Sequence, residues 1–141
     1  MEIRAFHGLP DVAIQLRTTV FVEEQGFEEE FDAVDETAVH LVAFDDHGIP
    51  LGTCRVFAQD GSNSYLLGRL CVIKERRGNG VGRMLVQEAE HTVRQLGGVR
   101  LRLHSQYRAR GFYALLGYTV CSEIEDEQGC PHIWMEKEWN A

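Results

Sequence analysis

Hydrophobic and polar positions recur with two different periods near the start of the chain. A two-residue alternation over Glu2–Phe6 predicts a strand. From Pro10 the apolar residues recur at helical spacing, which predicts an amphipathic helix that runs to about Glu24 and ends at Gly26. The acidic stretch Phe27–Thr37 has neither period, so we expect a loop or a short helical turn there.

Three strand-like runs occupy the middle of the chain. Val39–Phe44, Leu51–Phe57 and Tyr65–Ile73 have strand composition and are separated by turn-forming residues, the second turn being Asp60–Asn63. They predict an antiparallel meander. Helical spacing then returns over Val81–Leu96 and stops at a pair of glycines.

The last third of the chain alternates between strands and helices. We expect a strand, a short helix and two further strands, at Val99–Leu103, Ala109–Leu116, Tyr118–Ile124 and His132–Glu138, with a turn at Gln128-Gly129. The order β α (loop) β β β α β α β β predicts an α/β (α+β) fold with a mixed, mostly antiparallel sheet of about six to seven strands flanked by helices. The passage from Tyr65 to Leu103 predicts a right-handed parallel crossover.

Length and composition narrow the class of protein. The chain has 141 residues, 44% of them hydrophobic, which predicts a single domain over residues 1–141. Neither a signal peptide nor a membrane span is evident, so a cytoplasmic location is expected. A net charge of −8 disfavours nucleic acid or an anionic membrane as the main partner. The cysteines form no Cys-x-x-Cys pair, so we expect reduced thiols and no metal site.

Glycine at every second position marks the turn between the third middle strand and the long helix. Gly78, Gly80 and Gly82 permit a tight loop whose amide groups point inward, and the helix N-terminus adds its positive dipole end. The basic residues also cluster between positions 74 and 110. The turn therefore predicts a pyrophosphate site, against the alternative of an exposed glycine-rich turn. A nucleoside-triphosphatase loop would need Lys and Ser/Thr where Arg83 and Met84 stand. A dinucleotide fingerprint would place its third glycine at Arg83.

The segment Arg77-x-x-Gly80-x-Gly82 resembles the acetyl-CoA signature of the GNAT superfamily of N-acetyltransferases, and the element order is similar to the GNAT fold. The resemblance implies that backbone groups of Leu70, Cys71 and Val72 pair with the pantetheine arm of coenzyme A. It also implies a pyrophosphate site formed by Arg77, Gly78, Asn79, Gly80, Val81, Gly82 and Arg83. Cys71 is expected to be a packed thiol rather than a nucleophile.

Phe112–Tyr118 is similar to a second recurring GNAT segment, which implies that Tyr113 is the general acid that protonates the departing thiolate. The alternative is that Tyr113 is a core aromatic residue. Many GNAT enzymes carry a catalytic glutamate on the fourth strand, but Tyr65–Val72 contains no carboxylate. The general base is therefore open.

A narrower resemblance links the chain to the ElaA/YjcF-like bacterial subgroup of GNAT proteins. It rests on the segments around Arg17–Gln25, Ala38–Leu41 and Gly129–Ile133. It implies Glu24, His40 and His132 as acceptor-site or proton-transfer residues, and Arg55 and Arg69 as anchors for an anionic substrate group. The alternative is that the histidines are structural and that residues 23–30 form a solvated acidic face.

The resemblance predicts transfer of an acetyl group from acetyl-CoA, with coenzyme A as co-substrate, to a primary amine of a small molecule or peptide. The attack would be direct, in a ternary complex. One alternative is a non-catalytic acyl-CoA-binding or sensing module, and another is a phosphate-ligand protein outside this superfamily. The acidic balance favours a cationic acceptor, whereas Arg55 and Arg69 favour an anionic one. Either a monomer or a homodimer is expected.

Overall fold

A single mixed sheet organises the chain in a computed structural model, which describes residues 1–28, 31–59, 61 and 63–139. Its strand order is β1-β2-β3-β4-β5-β8-β6, and β7 also pairs with β8. The strands are β1 (Glu2–His7), β2 (Val39–Phe44), β3 (Pro50–Gln59), β4 (Ser64–Val72), β5 (Arg100–Gln106), β6 (Thr119–Val120), β7 (Glu125–Glu127) and β8 (Cys130–Glu138). Among the described residues, only the β4–β5 pair is parallel. The predicted fold class, meander and parallel crossover are confirmed.

Three α-helices cover the sheet: α1 (Asp11–Arg17), α2 (Val81–Gln95) and α3 (Arg110–Leu115). Alternate residues of β2 separate two apolar clusters, because successive side chains of a strand point to opposite faces. Leu41 and Ala43 pack with α2, while Val42 and Phe44 pack with α1. The two long apolar stripes that the sequence predicts therefore lie on opposite faces of the sheet. None of the described helices combines the length and apolar character that a membrane crossing needs.

The first predicted helix is confirmed as far as Glu24, but its second half is wider than an α-helix. Thr18–Glu24 forms a π-helix, in which the amide of Gln25 donates to the carbonyl of Val20 at 3.1 Å. Such insertions are concentrated at functional sites. The following acidic stretch contains one short 3₁₀ helix, Ala33–Glu36. Glu29 and Glu30, within this stretch, and Asp60 and Ser62 of the predicted second turn, lie outside the described residues.

The strand predicted over Tyr118–Ile124 is wrong as a single element. Two short strands, β6 and β7, pair with the same edge of β8 at different positions. Between them the hydroxyl of Ser122 accepts a hydrogen bond from the amide of Trp134 at 2.9 Å, so a side chain replaces the ladder there. The sheet therefore has eight strands rather than six or seven.

An irregularity in β4 opens the centre of the sheet. Thr53 pairs with Cys71 but Arg55 pairs with Gly68, so β4 carries one extra residue, and Arg69 there has a φ of +54°. The parallel pairing of β4 with β5 stops at Leu67 and Leu103. Beyond that point the two strands diverge, and we call the opening between residues 68–72 and 104–106 the fork.

Candidate active site

A cavity of about 860 Å³ occupies the fork. It is lined on one side by β4, by the turn after β4 and by the start of α2, and on the other by β5, β8 and the π-helix. Leu70, Cys71 and Val72 all line it, as predicted for the strand that faces the cofactor. Cys71 is buried and packs in the α1 cluster, which agrees with a packed thiol.

The glycine-rich turn presents backbone donors to this cavity. Gly78 and Gly80 have φ values of +83° and +84°, a left-handed conformation that disfavours any other residue. Gly80 caps α2 without a side-chain hydrogen bond, and the first amide to bond back is that of Met84, to the Gly80 carbonyl. Within the described part of the chain, the amides of residues 81–83 therefore have no acceptor, which makes this end of α2 an anion site.

The predicted loop residues lie at the cavity with one exception. Its lining includes Arg77, Gly78, Gly80, Val81, Gly82 and Arg83, but not Asn79. Gly82 allows a close approach at this point, because a Cβ there would lie 3.3 Å from the ring of Phe112. The turn thus brings α2 close to α3.

Tyr113 reaches the cavity from α3. It is 8% exposed, and its ring meets Phe112 and Tyr118 edge-on at centroid distances of 5.0 and 6.0 Å. Burial raises the pKa of its phenol above the ordinary value. The hydroxyl makes no hydrogen bond to any described residue. Tyr113 therefore places a neutral phenol at the cavity wall.

The opposite wall carries two histidines and a tryptophan. The rings of His132 on β8 and His104 on β5 are tilted by 36° with their centroids 4.9 Å apart, and His104 stacks on Trp134 at 4.7 Å. The Nδ1 atom of His132 lies 2.9 Å from the carbonyl of Cys130. Because a carbonyl only accepts, Nδ1 carries a proton, and in the neutral ring the lone pair is on Nε2. We call this set, with Glu127 of β7, the histidine wall.

Comparison with known proteins gives the family. A sequence profile for the acetyltransferase (GNAT) domain matches residues 10–139. This chain belongs to the GNAT acetyltransferase family. Membership implies acyl transfer from an acyl-CoA donor, and the fork and glycine-rich turn lie in the region of the predicted GNAT cofactor signature.

Relatives of this GNAT domain match over nearly their whole length. The uncharacterized N-acetyltransferase YjcF of Bacillus subtilis is 36% identical over 129 residues, which cover 89% of this chain and 90% of YjcF. The crystal structure of Escherichia coli ElaA superposes with a TM-score of 0.87 at 26% identity, covering 97% and 99% of the two chains. An aminoglycoside 6'-N-acetyltransferase complexed with coenzyme A has the same fold, with a TM-score of 0.75 at 21% identity over 98% and 97% of the chains.

Glu24 and Arg77 of this GNAT domain form an ion pair across the cavity. Arg77 donates from both Nη atoms to the two carboxylate oxygens of Glu24, at 2.7 Å each, and from Nε to the Val72 carbonyl at 3.0 Å. The bond from Arg77 lowers the pKa of Glu24 and raises that of Arg77. A carboxylate held in this way is a poor proton acceptor, so the predicted proton-transfer role of Glu24 is not supported while the pair persists.

The predicted anionic anchors are already paired. The buried guanidinium of Arg55 donates to Asp32 at 2.6 Å and to Asp35 at 2.8 Å. Arg69 lies 3.4 Å from Asp32. Both arginines line the cavity, but their charges are shared with the two aspartates. An anionic substrate group would therefore have to compete with Asp32 and Asp35 for these two arginines.

His40 lies away from the cavity, contrary to the prediction of a substrate or proton-transfer residue. It is 1% exposed, and its Nε2 lies 2.9 Å from the Asp35 carbonyl. Burial lowers the pKa of its imidazole. His40 is a structural residue beneath the Arg55–Asp35 pair.

Several cavity residues were not found from the sequence. They include Arg76, His104, Phe112, Glu127 and Trp134. The alternation of β5 does place Arg102, His104 and Gln106 on one face, so a clear pairing of β5 with β8 would have indicated His104. That pairing joins residues far apart in the chain and has no local signal.

Proposed function

We propose that the protein transfers an acetyl group from acetyl-CoA to a primary amine of a small molecule or peptide, by direct attack within a ternary complex. The observation that supports this most is the fork itself. It combines a length of β4 that has separated from β5, the backbone amides at the start of α2 and a neutral tyrosine around one cavity. Acetyl-CoA has a group to match each of these features: amides in its pantetheine arm for the strand, a diphosphate for the amides, and a thioester for the tyrosine.

Each part of the donor has a matching part of the cavity. The pantetheine amides would pair with β4 at Leu70–Val72, where β5 no longer pairs with it, as an added strand would. The diphosphate would accept bonds from the amides of the glycine-rich turn, with Arg77 and Arg83 adding charge. This placement brings the thioester to the inner end of the fork, where β4 and β5 part.

The chemistry then requires two proton movements. The amine attacks the carbonyl carbon, the C–S bond breaks, and the thiolate leaves. Tyr113 donates its hydroxyl proton to that thiolate, since burial keeps the phenol neutral. Before attack the amine must lose a proton, because an alkylammonium of pKa about 10 has no lone pair at neutral pH. The histidine wall, which contains the predicted residue His132, supplies the bases on the acceptor side.

Binding and turnover test the proposal in two steps. Calorimetric titration should give heat with coenzyme A and acetyl-CoA, and much weaker binding of ATP and NAD. Acetyl-CoA consumption is then followed over polyamines, amino sugars, amino acids and peptide N-termini. Failure to bind coenzyme A would refute the cofactor site. Binding without turnover on any amine would leave the acyl-CoA-binding module as the function.

Replacement of Tyr113 by Phe isolates the acid. Loss of general acid catalysis should lower kcat by about 10²-fold or more, while the affinity for coenzyme A is retained. Tyr65→Phe is the matched control, because Tyr65 packs against Gly98 and does not line the cavity. An unchanged kcat in Tyr113→Phe would contradict the assigned role.

A further inference from the structure

His104 stands at the inner end of the fork. It directly follows Leu103, the last β5 residue that pairs with β4, and it lines the cavity. On its other side it pairs with Trp134 of β8. The thioester as proposed above therefore lies at the same end of the fork as this side chain.

Two carboxylates flank the His104 ring. Nδ1 lies 3.1 Å from Oε2 of Glu127, and Nε2 lies 3.6 Å from Oε2 of Glu125, beyond hydrogen-bonding distance. Glu127 is the nearer of the two carboxylates, and a carboxylate at ordinary pH only accepts, so in the neutral ring its charge favours a proton on Nδ1. In the neutral ring, Nε2 then carries a lone pair. Within the described part of the chain this buried nitrogen has no hydrogen-bond partner.

Nε2 of the neutral His104 ring and the carboxylate of Glu125 are two hydrogen-bond acceptors that face each other, with no donor between them. An ammonium group is the complement of such a pair, because each of its N–H groups donates. The side chain of Glu125 is half exposed, so it can turn outward to admit the group. Once Nε2 takes a proton, the imidazolium has an N–H for each carboxylate. The two carboxylates therefore stabilise the imidazolium that forms on proton transfer more than they stabilise the neutral ring.

The neighbours of His104 hold it in this position. His132 and Trp134 contact its ring at 4.9 and 4.7 Å. Arg102 lies 5.1 Å from the centroid of the Trp134 ring and is paired with Glu136, so its charge is compensated. The charged groups that face the ring directly are Glu125 and Glu127.

We infer that His104 is the catalytic base of the proposed reaction, with Glu127 orienting its ring and Glu125 drawing the acceptor in as an ammonium. The inference rests on the proposed function. One ammonium proton passes to Nε2 and then to solvent, and the free amine attacks the thioester. After the attack the nitrogen carries one proton more than the amide keeps. That proton restores the hydroxyl of Tyr113, which has protonated the thiolate. The amide leaves with a single N–H.

Replacement of His104 by Gln tests this, because Gln keeps a polar side chain but cannot take the proton. With an alkylamine at pH 7.5 we expect kcat/KM to fall by about 10²–10⁴-fold, with coenzyme A affinity unchanged. The variant can use only free amine, so its rate should rise about tenfold per pH unit towards the amine pKa near 10, where it approaches the wild type. A weakly basic amine, already unprotonated at pH 7.5, should react nearly equally with both proteins.

His47→Gln is the matched control, since His47 is exposed in the β2–β3 turn. Addition of imidazole to His104→Ala should restore part of the rate, which a purely structural residue would not permit. A loss in His104→Gln that is the same at every pH and for every amine would overturn the inference. So would a pH-dependent loss in His132→Gln with none in His104→Gln.

The inference and the proposed function fail in different ways. A wild type that binds coenzyme A but acetylates no amine contradicts the function. An active wild type matched by His104→Gln contradicts only the role of His104. Nitrogen NMR of the wild-type histidines gives an independent check, because a His104 that is already doubly protonated at pH 7.5 would have no lone pair for the amine and would refute the inference.

Discussion

Replacement of Asp35 by Asn probes the buried network behind the acceptor side of the cavity. The Asp35 side chain is 3% exposed and accepts hydrogen bonds from Arg17 at 2.7 and 3.1 Å and from Arg55 at 2.8 Å. Its carboxylate also accepts the amide of Asp32 at 3.1 Å. It therefore ties the 3₁₀ helix Ala33–Glu36 to α1 and β3 at once.

We expect a large loss in the free energy of unfolding, because the substitution removes the negative charge of the network and leaves its positive charges in place. Asn keeps the shape of Asp but leaves the guanidinium groups of Arg17 and Arg55 buried without this carboxylate. Breaking a buried ion pair in this way costs about 3–5 kcal/mol. For a domain of this length the melting temperature should fall by about 10–20 °C. That loss is a large part of the 5–15 kcal/mol typical of a folded domain.

The pH dependence of unfolding gives a second measurement. Desolvation alone would raise the pKa of Asp35, but the bonds from Arg17, Asp32 and Arg55 lower it well below its ordinary value. The network therefore stabilises the fold fully above the unfolded pKa of about 4, and the stabilisation is lost as the pH falls through the folded pKa. The difference between wild type and Asp35→Asn should shrink at acid pH.

Urea and thermal unfolding at pH 7 and at acid pH provide the assay. Asp46→Asn is the matched control: Asp46 is 88% exposed and pairs only with the chain's amino group at 3.0 Å. It should change the free energy of unfolding by no more than about 1 kcal/mol. A loss of similar size in Asp35→Asn would refute the reasoning, since the buried charges would then contribute no more than an exposed pair.

Two further predictions concern the cofactor side. Glu24→Gln should tighten the binding of coenzyme A about two- to tenfold, because Arg77 becomes available to the diphosphate. Calorimetry measures this affinity, and Glu23→Gln, at the adjacent exposed position, is the control. Weaker binding of coenzyme A by Glu24→Gln would contradict the prediction. Gly80→Ala should weaken coenzyme A binding at least about tenfold, because its φ of +84° is strained for alanine and sets the amides at the start of α2. Gly111→Ala, at an open position in α3, should bind normally, whereas normal binding by Gly80→Ala would refute the role of the turn.

The glycine-rich turn could be predicted from the sequence because its determinants are local. Positive φ at Gly78 and Gly80 and the start of α2 at Val81 follow from residues within a few positions. The meander was predictable for the same reason, since adjacent strands and their turns are contiguous in the chain. Boundaries differ from the predicted ones by a few residues, as at β5, which extends to Gln106.

The fork and its contents could not be predicted in this way. The extra residue in β4 is visible only in the register of β4 with β3. Arg69 takes the left-handed conformation there, which an arginine in the sequence does not suggest. Arg77 meets a carboxylate 53 positions away. His104 of β5 lies near Glu127 of β7 because both strands pair with β8. The strand predicted over Tyr118–Ile124 did not reveal β7, because the bond between Ser122 and Trp134 interrupts the pairing with β8. Long-range pairings of this kind leave no periodic signal.

The placement of charge bears on the acceptor that the sequence left open. Arg55 and Arg69 argued for an anionic group, but Asp32 and Asp35 share their charge, so an incoming carboxylate or phosphate would have to displace an existing partner. Glu127 of the histidine wall and the neighbouring Glu125 face an imidazole with no compensating cation beside them among the described residues. An anion would be repelled there and an ammonium attracted. This placement of charge supports the proposal of an amine that approaches as a cation, and it leaves Arg77 and Arg83 for the proposed contacts with the donor phosphates.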